Sequence, residues 1–345
     1  MMTSFHSPTL LVSIGWRARV NSARRRGLTL VEVLVVIAII GCLVGLLLSA
    51  LQVVRETSRR LACANNLRQF GLGSLQHLDA RGHLPSGGWG YRWVGDPNRP
   101  TTAEQPGGWI FNVLPFIDQV RLHGLAAGTS GAAAATALGL MNATPFPTLQ
   151  CPSRRPSRAY PSGAWPPYNA APSLLVAKSD YAANGGDGPL GSDGGFPPGP
   201  ASIAAAATFT WTAASETGVV YQRSMTKTAD IIDGLGKTYL LGEKHVQPDK
   251  YAANDEPGDN ESAYVGYDLD TIRWTKSSSP VPYAPVRDTP GIPQYCGHFG
   301  SAHADVCHFT FCDGAVRAIA YSIDPETHRR LGNRRDRLPV TLPVP

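Results

Sequence analysis

Residues 24–51 read RRRGLTLVEVLVVIAIIGCLVGLLLSAL, and this stretch decides the fold. Three arginines and a glycine precede an apolar run broken by a single carboxylate, Glu32. A hydrocarbon core takes about 20 apolar residues in a helix, and residues 28–51 supply that length. The run is too long for the h-region of a secretory signal, and no small-residue cleavage pattern follows it. Instead it passes into RETSRRLACANNLRQFGLGSLQHL, residues 55–78, which keeps helical spacing. Leu67, Phe70, Leu75 and Leu78 fall near the rhythm of one buried helix face, with Arg55, Arg59, Arg60 and Arg68 on a solvated face. The pattern predicts one helix from Leu28 to about Leu78, half in lipid and half outside, with Gly71 and Gly73 weakening its last turns.

RRRG followed by LTLVEVLVVIAIIG resembles the N-terminal signature of type IV pilins and type II secretion pseudopilins. The resemblance implies that a prepilin peptidase cuts between Gly27 and Leu28 and methylates the new N-terminus, making Glu32 the fifth mature residue. Leu28 stands where that family usually has Phe. The N-terminal half also resembles the prepilin-like family DUF1559, and LRQFGLGSLQHLDARGHLPSGG follows that family's continuation. At the other end, His303, nine intervening residues and Asp313–Gly314 match the H-X9-DG motif of these prepilin-like proteins.

A carboxylate at the centre of a membrane helix costs about 2.5–3.5 kcal/mol. Glu32 lies four residues after Leu28, a rise of roughly 6 Å, so in a lone subunit it reaches the cytoplasmic surface. In a packed bundle it needs a cation, and the freed amine of a neighbouring Leu28 is a suitable one. A plain signal anchor with Glu32 near the interface is the alternative reading of the same residues.

The formal charge of +5 is misleading. Residues 1–27 hold Arg17, Arg19, Arg24, Arg25 and Arg26 and no acid; removing those five from 31 Lys and Arg leaves 26, equal to the 26 Asp and Glu. A neutral mature chain gives no footprint for nucleic acid. The basic flank instead sets topology: a single-pass protein of the inner membrane, N-terminus cytoplasmic, with residues beyond about 51 periplasmic or at the cell surface. The leader 1–27 is longer than a short pilin leader, which points to an internal translation start.

Six cysteines include Cys42 in the apolar run, and the remaining five cannot all pair within one chain. A helix-borne cysteine and a Cys-Pro loop recur in the resembling family, which implies a disulfide between Cys63 and Cys151; two separate buried thiols are the other reading. GGWIFNVLPFIDQVRLHGL turns Trp109, Phe111, Leu114 and Ile117 inward, and GAAAATALGLMN reads as a helix. The Pro- and Gly-rich stretches 152–172, 184–200 and 276–293 read as loops decorating one domain. A strand is expected at 237–242, with 219–223 pairing nearby.

PGDNESAYVGYDLDTIRW is dense in carboxylates, and such loops hold calcium, with Asp259, Asn260 and Glu261 as candidates. Structural turns and solvated acids are the competing reading, since the spacing is not that of an EF-hand. Some pseudopilins bind calcium in a loop, a point the resemblance carries without assigning residues.

ADVCHFTFCDGAVRAIAYSID is two alternating runs joined by Asp313–Gly314, a two-residue hairpin signal. That turn sets Phe311 opposite Val316, Phe309 opposite Ala318 and Cys307 opposite Ala320. The other face, with Val306, His308, Thr310, Arg317, Ile319 and Tyr321, meets a helix or water. Along such a strand His303 and Asp313 lie roughly 33 Å apart, so they read as a capping or packing residue and a turn rather than as one metal site. Cys307 and Cys312 fall on opposite faces, a poor zinc pair. SIDPETHRRLGNRRD predicts a short helix capped by Asp324 and ended by Gly332.

These readings give an α+β, pilin-like chain: a long N-terminal transmembrane helix packed on an antiparallel β-sheet domain with loop insertions. The divisions are a leader 1–27, a membrane segment 28–51, an outer helical half 52–80, a globular domain 81–332 and a tail 333–345. The resemblance implies a processed, methylated structural subunit of a type II secretion or type IV pilus-like system. Its partners would be the prepilin peptidase, other pilin-like subunits and membrane lipid. No cofactor is required. No phosphate loop, nucleophile elbow or HExxH is present in the sequence, so a non-enzymatic role is expected. The rivals are a tethered glycan-binding module using Trp89, Trp93, Trp165 and Trp211, and an anchored hydrolase with a metal in the acidic loop.

Overall fold

The computed structural model describes residues 29–163, 165–188, 196–211, 216–275, 283–292 and 295–341. Gly27, Leu28 and the whole leader lie outside the described residues. The chain divides into two compact units, Met1–Val53 and Val54–Pro345.

Helix α1, Leu30–Arg81, is unbroken. Its start is fixed by a reciprocal cap. The Glu32 carboxylate accepts the Thr29 N–H at 2.8 Å, and the Glu32 N–H donates to Thr29 Oγ1 at 3.2 Å. It ends because Gly82 takes φ +79° and donates its N–H to Leu78 O at 2.8 Å. In the first unit its large apolar side chains are exposed from Leu30 to Val53, and its most apolar window has none of its residues buried.

Within the second unit the remainder of α1 buries Cys63, Leu67, Phe70, Ser74 and His77, a stripe at three- and four-residue spacing. The stripe lies on a five-stranded sheet of order β5-β3-β4-β8-β9, made of Ile272–Trp274, Tyr181–Gly186, Tyr239–Glu243, Val306–Phe311 and Val316–Ala320. Thr310 of β8 donates its hydroxyl to Leu67 O at 3.1 Å. Gly71 is what allows that approach, since a β-carbon there would sit 2.4 Å from Thr310 Cγ2. So Gly71 and Gly73 mark close packing, and the helix runs through both.

Four details of the sheet differ from expectation. The sheet is mixed: β3 pairs with β4 antiparallel but with β5 parallel, because the long 244–271 connection brings β5 to the far side of β3. The C-terminal hairpin is shifted by one residue, pairing Cys307 with Ile319, Phe309 with Arg317 and Thr310 with Val316. Phe311 N–H donates to Ala315 O at 2.9 Å and Gly314 takes φ +84°. The loop is thus three residues with a left-handed glycine at its end, where Asp-Gly alone signals two. Ile319 consequently joins the apolar face with Cys307, Phe309 and Phe311. Residues 219–223 form no strand; Val219 and Val220 donate their N–H groups to Asn184 O instead. The expected strand at 237–242 begins two residues later, at Tyr239.

One core cluster joins Phe70, Trp109, Phe111, Leu114, Tyr181 and Trp274; a second gathers Tyr239, Phe299, Phe309, Phe311 and Leu331 around α5, Pro325–Gly332. Asp324 caps α5 by accepting the Thr327 N–H at 2.8 Å. Helix α2, Trp109–Val113, is locked by the Trp109 indole donating to Thr271 O at 2.8 Å. Helix α3 is Val120–His123 and helix α4 Gly131–Ala143. Short strands β1 (Ala159–Pro161) with β2 (Leu175–Ala177), and β6 (Val286–Arg287) with β7 (Gly300–Ser301), stiffen the expected loops.

Candidate functional site

Three features carry chemistry: the exposed apolar half of α1, a cluster where α1 meets the sheet, and a buried ion network beside it. The first is defined by exposure. Leu30 is 80% exposed and Leu46 66%, values that water does not tolerate along a whole helix. Glu32, the one carboxylate there, is held by Thr29 rather than by a cation, in a T-x-x-E cap that the sequence TLVE already spells.

The second feature is centred on His303. Its Nδ1 lies 2.9 Å from Glu56 Oε1 on α1, and its Nε2 lies 3.4 Å from Glu243 Oε1 at the end of β4. Glu243 Oε2 also accepts the His308 backbone N–H at 2.8 Å and lies 3.0 Å from His308 Nδ1. Burial opposes a charged imidazole at His303, yet the two carboxylates outweigh it and hold His303 above the ordinary histidine value. Burial likewise opposes ionisation of Glu243 and Glu56, and contact with His303 holds both below the ordinary carboxylate value. Against this cluster Cys63 of α1 and Cys151 form a disulfide, with His303 Nε2 3.8 Å from Cys151 Sγ. Cys63, Cys151, Glu243 and His303 are close enough to ligate one ion, but the disulfide leaves no thiolate to do so. The cluster is a fastening between helix and sheet.

His303 is therefore more than a packing residue. Asp313 and Gly314, the other end of its motif, form the β8–β9 turn, where Asp313 Oδ1 accepts the Ala315 N–H at 2.9 Å. Glu56, Glu243 and His308 were not legible as partners. Only the seven-residue spacing of Glu56 and Cys63, two helical turns on one face, hinted at a shared surface.

The third feature corrects the calcium candidate Asp259. Its carboxylate is taken by Arg155 at 2.5 Å and Lys244 at 3.0 Å, with Lys178 at 3.8 Å, all buried. Burial would raise its pKa, but these cations drive it far below the usual carboxylate range. Asp180 bridges Arg155 and Arg154 at 2.6 and 3.1 Å, and Arg154 continues to Asp288 at 2.9 Å. An aspartate surrounded by cations binds no metal. Asn260 donates its amide to Glu261 Oε1 at 2.9 Å, and Glu261 is grouped with Asp268 and Asp270.

Two of the four aromatic candidates are core. Trp89 and Trp93 are buried at 1% and 3% exposure, while Trp165 stands out at 56%. Trp89 and Trp211 line a cleft of about 430 Å³, but Arg99 lies 5.1 Å over the Trp89 ring and Arg223 4.4 Å over Trp211. Guanidinium groups already cover the faces a sugar would stack on.

Residues 52–326 match the family model described as a protein of unknown function (DUF1559), and residues 22–48 match the prokaryotic N-terminal methylation motif. No curated protein and no solved structure matches the chain.

Proposed function

The chain belongs to the DUF1559 family, and from that membership and its N-terminal methylation motif we propose that it is a membrane-anchored, prepilin-like subunit with a structural role in a type II secretion or type IV pilus-like assembly. The prepilin peptidase would cut after Gly27 and methylate Leu28. The observation that carries the reading is the outward-facing apolar half of α1, joined to a motif whose glycine and carboxylate stand at Gly27 and Glu32. Lipid covers that surface in a lone subunit, and the same helix of neighbouring subunits covers it in an assembly. On assembly, Glu32 would exchange its bonds to Thr29 for the free amine of a neighbour's Leu28, which fixes register between chains. We take the role as non-enzymatic. His303 is occupied by Glu56 and Glu243, and Asp259 by Arg155 and Lys244, which supports fastening rather than turnover.

Intact mass and N-terminal sequencing of the protein from its native membranes test the reading. A chain beginning at methylated Leu28 is expected. A chain still carrying Arg24–Gly27 overturns it and leaves an ordinary anchor. In cells, Glu32→Ala is expected to be cleaved normally yet to lose cross-links between subunits; unchanged cross-linking would remove Glu32 from the assembly role.

A further inference from the structure

Glu261 precedes a loop that returns through Asp268 and Asp270 into β5. The three carboxylates offer oxygens all within 4.8 Å of one another, at 7%, 5% and 2% exposure. The loop is folded to hold them there. The Glu261 N–H donates to Asp270 Oδ1 at 3.0 Å, and the Thr271 and Ile272 N–H groups donate to Asp268 O. Asp268 Oδ2 and Asp270 Oδ2 are buried and have no hydrogen-bond partner.

The neighbouring cations act on these carboxylates only from a distance, each being bonded elsewhere. Lys244 Nζ is spent on Asp259 at 3.0 Å and on the backbone oxygens of Gly258 and Asp270 at 2.8 and 3.0 Å. Lys178 Nζ donates to Ala253 O at 2.7 Å and to Asp259 O. Arg273 directs its guanidinium to the carbonyls of His298, Leu269, Ile272, His245 and Gly258. Among the described residues no ion pair reaches Glu261, Asp268 or Asp270, whereas Asp180, Asp259, Asp288 and Glu243 each face a basic side chain. Three desolvated carboxylates this close cannot all stay ionised unless a cation joins them.

We propose that Glu261, Asp268 and Asp270 bind one calcium-sized divalent cation, which closes the loop 261–270 on itself just ahead of the edge strand β5. The donors are all carboxylate oxygens, with no sulfur or imidazole, which selects a hard ion over zinc or copper. Magnesium keeps several of its waters, and side chains at most 7% exposed leave little room for them. Calcium takes six to eight oxygens in flexible geometry, and the three carboxylates supply one oxygen each at the least. The site stands apart from the processing motif and does not depend on the assembly reading.

The test uses the full-length protein in detergent micelles, stripped with EDTA and dialysed. Calcium chloride is expected to raise Tm by several degrees in a saturable way, more than magnesium chloride does. Bound calcium measured by elemental mass spectrometry after dialysis is expected at one per chain. Asp268→Asn with Asp270→Asn is expected to abolish the Tm response, and Glu261→Gln to weaken calcium binding at least tenfold. A native chain with no saturable response to about 10 mM calcium, beyond the weak end for extracellular modules, overturns the proposal whether or not the variants fold. An undiminished response in the double variant overturns it equally, because the ion then sits elsewhere.

Discussion

Asp259 faces Arg155, Lys244 and Lys178 in a closed pocket, and alanine there leaves both lysines without a carboxylate. Breaking a buried pair from one side costs about 3–5 kcal/mol. Asp259→Ala should therefore shift the urea midpoint strongly downward, followed by tryptophan fluorescence; a midpoint within error of the native chain would mean that water reaches the pocket. Loss of any activity in that variant would accordingly report unfolding before catalysis. Gly71 makes the second residue-scale case. Gly71→Val places a branched side chain against Thr310, and overpacking of this kind costs about 1–3 kcal/mol. Thr310→Ser, which removes the offending methyl, should recover part of the loss in a double-mutant cycle. Single residues were legible where chemistry is local, as in the Asp324 cap. They were not legible where partners are remote: His303 finds Glu56 across 247 positions, and no spacing rule reaches that far.

Two fastenings hold α1 to the sheet, and each has its own lever. His303 is held above the ordinary imidazole value of 6.5, and its contribution is complete below that value and fades as pH rises through the raised one. Glu56 and Glu243 are held below the ordinary 4.5, so theirs is complete above that value and fades as pH falls through the lowered ones. The difference in Tm between the native chain and His303→Gln should accordingly be widest between about pH 4.5 and 6.5 and narrow toward higher pH. A difference that does not vary with pH would reduce His303 to a space-filler. The disulfide closes a separation of 88 residues, for which the chain-entropy estimate is about 4–5 kcal/mol. Cys63→Ala with Cys151→Ala should lower the unfolding free energy by up to that amount in urea titrations. At this scale α1, the C-terminal hairpin and α5 were readable because period and caps are written within each. The one-residue register error came from Asp313–Gly314, which suits either a two- or a three-residue loop. The parallel pairing of β5 was unreadable because its partner β3 is set by loops without a period.

Both core clusters lie entirely within the second unit, none of their residues preceding Leu67. A chain beginning at Val54 should then fold and stay in the supernatant after ultracentrifugation without detergent, while the full chain pellets with membranes. Sedimentation of the shortened chain with lipid would reveal a second membrane-seeking surface. The anchor and the α+β class were legible in the sequence because composition alone separates lipid from water; the mixed sheet order was not. The grip on α1 has a mechanical side. Glu56 and Cys63 lie two helical turns apart, about 10 Å along the axis, ahead of the packed residues Leu67 to His77. Tension entering the second unit along this helix meets an ionic clasp first and a covalent weld next. The apolar seam behind them is shielded from shear until the sulfur–sulfur bond parts, so the weld, and not the packing, sets the rupture strength of the joint.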